Sequence, residues 1–136
     1  MFETFEHTAD VGLRIRGATL EELFAEAGCA LFSLIAGRLD RVQAKQRFDL
    51  RVAGSQHDYL LFDWLNELLY LFESRSVICS RFEVRLDPEG LSAVAWGEPL
   101  DPQRHLPEHE VKAITYHGLR VEPSDDGWLA EVIVDI

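Results

Sequence analysis

Ser124-Asp125-Asp126-Gly127-Trp128-Leu129-Ala130-Glu131-Val132-Ile133-Val134-Asp135-Ile136 reads as a tight turn followed by a strand. Asp-Asp-Gly tolerates the reversal, and the β-branched and aromatic residues after it favour extended backbone. Asp135 shares a strand face with Leu129, Glu131 and Ile133, so it does not sit on an evidently polar face. Near the other end, Asp10 stands just ahead of a second alternating run, Val11, Leu13 and Ile15. The ends of a domain often lie close together. If these two strands are neighbours, the carboxylates of Asp10 and Asp135 converge with the terminal carboxylate of Ile136. Uncompensated, they would repel and raise one another's pKa. A hard cation with oxygen ligands, Ca²⁺, Mg²⁺ or Mn²⁺, would resolve the conflict. The bland alternative is that each is a solvated strand-end acid.

Working outward, residues 2–16 look like a strand, with an interruption expected near Gly12. Thr19-Leu20-Glu21-Glu22 is a capping box that opens a helix. Leu20, Leu23, Phe24, Ala27, Leu31, Leu34 and Ile35 lie on one face of it, and Gly37 is the expected stop. Phe48, Leu50 and Val52 alternate as a strand. Ser55 resembles an N-cap for the segment Tyr59 to Phe72, which is apolar nearly all round and so reads as a central buried helix. Phe82, Val84 and Leu86 form another strand. Asp87-Pro88-Glu89-Gly90 turns it back into Leu91 to Trp96. Pro99 to Pro107 is a loop. Val111 to Tyr116 is a strand with Lys112, Ile114 and Tyr116 on one side, and Leu119 to Val121 continues it. Strands outnumber helices and hairpins dominate the second half. The expected fold class is α+β, a largely antiparallel sheet or sheets with two main helices, in a single domain spanning 1–136.

The composition narrows the function. The 136 residues are 47% hydrophobic, enough for a real core, and carry 24 acids against 13 bases for a net charge of −11. Such a surface repels phosphate backbones, which argues against direct high-affinity RNA or DNA binding and favours a basic protein surface. The opening residues carry no basic, apolar signal peptide and no stretch is apolar enough to span a bilayer, so a cytoplasmic location is expected. Cys29 and Cys79 belong to no CxxC pair and read as structural thiols.

Other constellations are weak. His105 and His109 form an H-x3-H half-site, but Pro107 lies between them and no second pair has zinc-type spacing. Gly12, Gly17 and Thr19 mimic a phosphate-binding loop, yet Ala18 replaces its lysine. No Ser or Cys occupies a nucleophile elbow. Lys112, among small and apolar neighbours, reads either as a partner of the acids or of another protein, or as an edge-strand surface lysine.

His7-Thr8-Ala9-Asp10-Val11-Gly12, Thr19-Leu20-Glu21-Glu22-Leu23-Phe24, Asp63-Trp64-Leu65-Asn66-Glu67-Leu68-Leu69, Glu110-Val111-Lys112-Ala113-Ile114-Thr115-Tyr116-His117 and Val134-Asp135-Ile136 together resemble the archease family from end to end. The first, fourth and last motifs are the specific ones. The resemblance implies an α+β fold similar to the main domain of the Hsp33 chaperone. It implies a non-enzymatic cofactor of the GTP-dependent RtcB-type RNA ligase, which acts in tRNA splicing and RNA repair. Such a protein promotes guanylylation of the ligase and its multiple turnover. The resemblance also implies a divalent-metal site at Asp10, Asp135 and the carboxylate of Ile136, with Ca²⁺ foremost and Mg²⁺ or Mn²⁺ as alternatives. Lys112, with His7 and His117 of the same motifs, is implied in activation or partner contact. The competing classes are a general chaperone or interaction module and a metal-dependent phosphoester hydrolase.

Overall fold

The computed structural model describes residues 1–7, 10–105, 107 and 109–136, with His7 described by its backbone alone. Thr8 and Ala9 of the first motif, and Leu106 and Glu108 of the 99–109 segment, lie outside the described residues. The fold is α+β, as the patterning predicts. In chain order it runs β1 (Phe2–His7), β2 (Asp10–Gly17), α1 (Leu20–Ala36), a 3-10 turn (Leu39–Arg41), β3 (Gln46–Ala53), α2 (His57–Arg75), β4 (Val77–Asp87), β5 (Gly90–Pro99), β6 (Ala113–Ile114), β7 (Arg120–Ser124) and β8 (Gly127–Asp135).

Two antiparallel sheets result. One has the order β1-β2-β8-β6, with β7 also pairing β8, and the other has the order β3-β5-β4. The single long strand expected over 2–16 is instead a hairpin, with His7 opposite Asp10 and Phe2 opposite Ile15. The chain therefore reverses ahead of Asp10. Gly12 lies within β2, where the Phe5 ring covers it so closely that a Cβ would stand 2.2 Å from the ring. The expected strand over 111–116 shrinks to Ala113 and Ile114, and the stretch expected to continue it falls largely in a separate strand, β7, which begins at Arg120. Val111 and Ile114 are both buried while Lys112 and Tyr116 are exposed, a spacing that alternation does not describe.

Helix α1 begins where the capping box places it. The Thr19 hydroxyl accepts from the Glu22 N–H at 3.1 Å, and the Glu22 carboxylate reaches back to the Ala18 N–H at 3.1 Å. Gly37 closes the helix with φ 82°, a conformation that favours glycine. The Ser55 cap is not formed. Gln56 occupies the N-cap of α2 and makes no side-chain capping bond, while Asp58 accepts from the Tyr59 N–H instead.

The roles expected of the two helices are exchanged. Helix α1 packs against β4 of one sheet and β2 of the other, burying Leu23, Phe24, Ala27, Leu31, Phe32 and Ile35. It is the central helix. Helix α2 buries Leu60, Leu61, Trp64, Leu65, Leu68, Leu69 and Leu71, but Tyr59 and Tyr70 stand in solvent. Their rings give the segment an apolar look, whereas a phenol is at ease with one end wet. The Trp64 Nε1–H donates to the Phe24 carbonyl at 2.9 Å and fastens the helices together inside the core. Among the described residues no helix is long and apolar enough to cross a membrane.

Replacing Trp64 by Phe removes that buried bond and leaves a void. Trp64→Phe is expected to lose about 1–3 kcal/mol, read as a lower urea midpoint at unchanged slope. A variant as stable as wild type would show that the bond contributes nothing.

Candidate functional site

The first, fourth and last of the sequence motifs meet at one end of the five-stranded sheet. Asp10 and Asp135 are direct partners in the β2–β8 register, and Asp135 is also opposite Ala113 of β6. Directly opposed residues in an antiparallel pair project from the same face, with Cβ atoms about 4.5–5.5 Å apart. Leu13, Ile15, Val132 and Val134 are fully buried, so they fix the inner face and turn Asp10 and Asp135 to the outer one. The Lys112 N–H donates to the Asp135 carbonyl at 2.8 Å, extending β6 by one bond towards the sheet end. Lys112 itself is exposed, and its ammonium forms no ion pair among the described residues. The His7 backbone lies opposite Asp10. His117 follows β6 on the surface, its N–H donating to the Thr115 hydroxyl at 3.3 Å.

An ionic ladder occupies the same outer face further along. The Arg14 guanidinium lies 2.7 Å from the Glu131 carboxylate and 3.2 Å from Glu3, and Arg120 lies 2.5 Å from Glu131. Burial pushes the Glu131 carboxyl up, but hydrogen bonds from Arg120 and Arg14 outweigh it and hold the group below the usual carboxylate range. Arg14 also lies 4.9 Å over the Phe5 ring that covers Gly12. Glu131 is therefore neutralised within the ladder, and Asp10 and Asp135 lie beyond it towards the end of the sheet. Two aspartates on one face offer oxygen donors of the kind a hard cation takes. Among the described residues no group of three or more His, Cys, Asp or Glu side chains is assembled for a metal.

His105 has another task. It is 1% exposed, and Glu98 beside it is 3% exposed. The Asp101 N–H donates to His105 Nδ1 at 2.8 Å, so the imidazole proton sits on Nε2, which faces the Glu98 carboxylate at 3.2 Å. Glu98 also accepts from the Gln43 N–H at 2.5 Å and pairs with Arg104. Burial pushes the Glu98 carboxyl up, but these bonds from Arg104, Gln43 and His105 carry it below its ordinary range. His105, whose H-x3-H spacing with His109 gives only a weak metal signal, thus pins the segment after β5. Alternation could not reveal this cluster, because Gln43 and His105 come from loops. Cys29 and Cys79 are free, and burial pushes their thiols to about 11 and about 12, as suits structural thiols. Gly12 to Gly17 is strand, not a phosphate-cradling loop.

These features define a two-sheet α+β protein with a carboxylate pair at the end of the larger sheet. The family model described as the Archease protein family (MTH1598/TM1083) matches residues 2–136, and the chain belongs to that family. It is 39% identical to the protein archease of Pyrococcus furiosus, covering 99% of this chain and 98% of that one. With the protein archease of Methanopyrus kandleri the identity is 42%, at 99% of each. The solution structure of Methanobacterium thermoautotrophicum protein 1598 superposes with a TM-score of 0.84 at 32% identity, over 99% of this chain and 98% of the other. A Thermotoga maritima archease, titled "possible chaperone", shares the fold with a TM-score of 0.66 at 22% identity, over 100% and 98%.

Because the Glu98 pKa is lower folded than unfolded, its stabilisation is complete above the unfolded value of about 4.3 and is lost as pH falls through the folded one. Glu98→Gln should cost about 3 kcal/mol at neutral pH, by leaving Arg104 and His105 ill matched. It should also flatten the acid side of the stability–pH curve, measured by urea unfolding from pH 7 downwards. An unchanged acid limb would show that Glu98 is not the group responsible.

Proposed function

We infer that this chain is a protein activator of a GTP-dependent RNA ligase of the RtcB type. It promotes ligase guanylylation and multiple turnover in tRNA splicing and RNA repair, without being an enzyme itself. The observation that carries this reading is the register-fixed opposition of Asp10 and Asp135, with the Lys112 motif hydrogen-bonded beside it. Membership of the archease family supports it. Asp10, Asp135 and the carboxylate of Ile136 would hold a divalent cation, with Ca²⁺ foremost and Mg²⁺ or Mn²⁺ also suited to oxygen donors. Such an ion supplies positive charge for phosphate oxygens. Lys112, His7 and His117 are assigned to activation or to contact with the ligase. The net charge of −11 suits docking on a basic protein and opposes tight RNA binding by this chain alone. The work is assigned to the cytoplasm.

A second reading, a general chaperone, draws on the exposed tyrosines Tyr59, Tyr70 and Tyr116 and on the name given to the T. maritima relative. It calls for suppression of aggregation of unrelated proteins, indifferent to Asp10 and Asp135. Phosphoester turnover by this chain alone would make it a hydrolase instead.

With ligase substoichiometric to RNA ends, wild type should convert a single round of ligation into many, and Asp10→Ala and Asp135→Ala should return it to the unstimulated yield while remaining folded. Folded variants that stimulate fully would overturn the assignment. Calorimetric titration with Ca²⁺, Mg²⁺ and Mn²⁺ should show binding to wild type that Asp135→Asn loses. Equal binding by the variant would place the ion elsewhere.

A further inference from the structure

Over much of this surface, arginine is matched to acid at short range: Arg38 with Asp40 at 2.6 Å, Arg47 with Asp49 at 3.0 Å, Arg51 with Asp87 at 3.0 Å, Arg81 with Glu83 at 3.1 Å. The outer face of α2 breaks that pattern. Tyr59, Asp63, Glu67, Tyr70 and Glu73 fall within one arc at helical spacing and all are exposed. The three acids have no ion pair or hydrogen-bond partner among the described residues. No lysine or arginine occurs from His57 to Ser74.

The same face collects the exposed aromatic surface. Among the described residues the exposed large hydrophobics other than Met1 are Tyr59 at 51%, Tyr70 at 66% and Tyr116 at 55%. Tyr116 stacks on Phe62 with centroids 3.8 Å apart and meets Tyr59 edge-on at 5.7 Å. A cleft of about 270 Å³ opens between Asp58, Tyr59, Tyr116 and Leu119. Aromatic walls beside a carboxylate suit a guanidinium, which is planar, weakly hydrated, stacks on rings and pairs with carboxylates in a fork. An ammonium lacks the plane. Aromatic rings would also stack on nucleobases, but unneutralised acids in a chain of charge −11 repel the phosphates that come with them.

We propose that the outer face of α2, with Tyr116, is a docking surface for an arginine-bearing basic surface of a protein partner, and that the Asp58–Tyr59–Tyr116–Leu119 cleft receives an arginine side chain. The proposal fixes the chemistry of the partner and stands whether or not that partner is an RNA ligase. Tyr116 lies two residues beyond β6, whose Ala113 is opposite Asp135.

The test follows amide NMR shifts of the whole chain with a hexa-arginine peptide, a hexa-lysine peptide and a single-stranded RNA oligonucleotide. Hexa-arginine should shift Tyr59, Asp63, Glu67, Tyr70 and Tyr116 and bind about tenfold more tightly than hexa-lysine. Tyr59→Ala/Tyr116→Ala should weaken it at least about tenfold, as loss of aromatic anchors does. Asp63→Lys/Glu67→Lys, at exposed helical positions that tolerate lysine, should weaken it equally. Asp125→Asn/Asp126→Asn, which removes two charges from the turn between β7 and β8, outside the α2 face, should leave it unchanged. Shifts spread over all acidic regions, equal affinity for hexa-lysine, unaltered binding by both α2 variants, or RNA preferred at the same residues would each overturn the proposal.

Discussion

Strand β8 hydrogen-bonds to β2 along one edge and to β6 and β7 along the other, so every part of the larger sheet is referred to it. Its register is set from the inside. Ala130, Val132 and Val134 face the core with Leu13 and Ile15. A slip of one residue would turn all of them to solvent and Asp135 inwards. Each such aliphatic side chain is worth about 1.5–3 kcal/mol when buried. Two carboxylates a few ångströms apart at a wet surface repel by only about 1 kcal/mol in a dielectric near that of water. The apolar term wins, and the core holds Asp10 against Asp135 although the acids alone would part. The position of the candidate site is thus a by-product of burial on the opposite side of the sheet.

The two helices divide the remaining work. Helix α1 lies against both sheets at the centre of the core, with its Phe32 stacked near Phe82 and Trp64 of α2 edge-on to the same ring. Helix α2 gives one side to that core and keeps the other for solvent. The buried Glu98–His105 pair does a related job for the segment that leads from β5 towards β6, anchoring it to Gln43 ahead of β3. Rigid packing thereby backs an α2 surface on which Asp63, Glu67 and Glu73 carry no ion pair among the described residues.

The sequence makes legible what depends on near neighbours. The Thr19–Glu22 cap, the stop at Gly37, the Asp87–Gly90 turn and the strands around Phe48, Phe82 and Leu91 are local patterns, and all are present in the fold. Asp10 and Asp135 could be linked only by supposing that their strands meet, which they do. Long-range choices were harder. The hairpin formed by β1 and β2 reads as one strand because its reversal, between His7 and Asp10, carries no glycine or proline to mark it. The α2 segment reads as central because tyrosine counts as apolar in a pattern but behaves as amphipathic in a structure. The 111–116 segment reads as a strand, yet its side chains are arranged around α2 as well as along β8, so two residues retain the ladder. His105 could be noticed as a histidine, but its partners Glu98 and the Asp101 backbone come together only through a folded loop.

The pairing of Asp10 with Asp135 joins segments separated by nearly the whole chain, and that has a kinetic side. Closing so large a loop loses chain entropy before any contact repays it, so such a topology folds slowly compared with one built from local pairs. Until β8 arrives, the β1–β2 hairpin has an open edge, with Leu13 and Ile15 on its apolar side. An open apolar edge is a template for another chain. The hazardous interval in the life of this molecule is therefore the wait for its last strand. The charged residues Arg14 and Arg16, interleaved with those apolar positions on β2, act during that wait as gatekeepers against self-association.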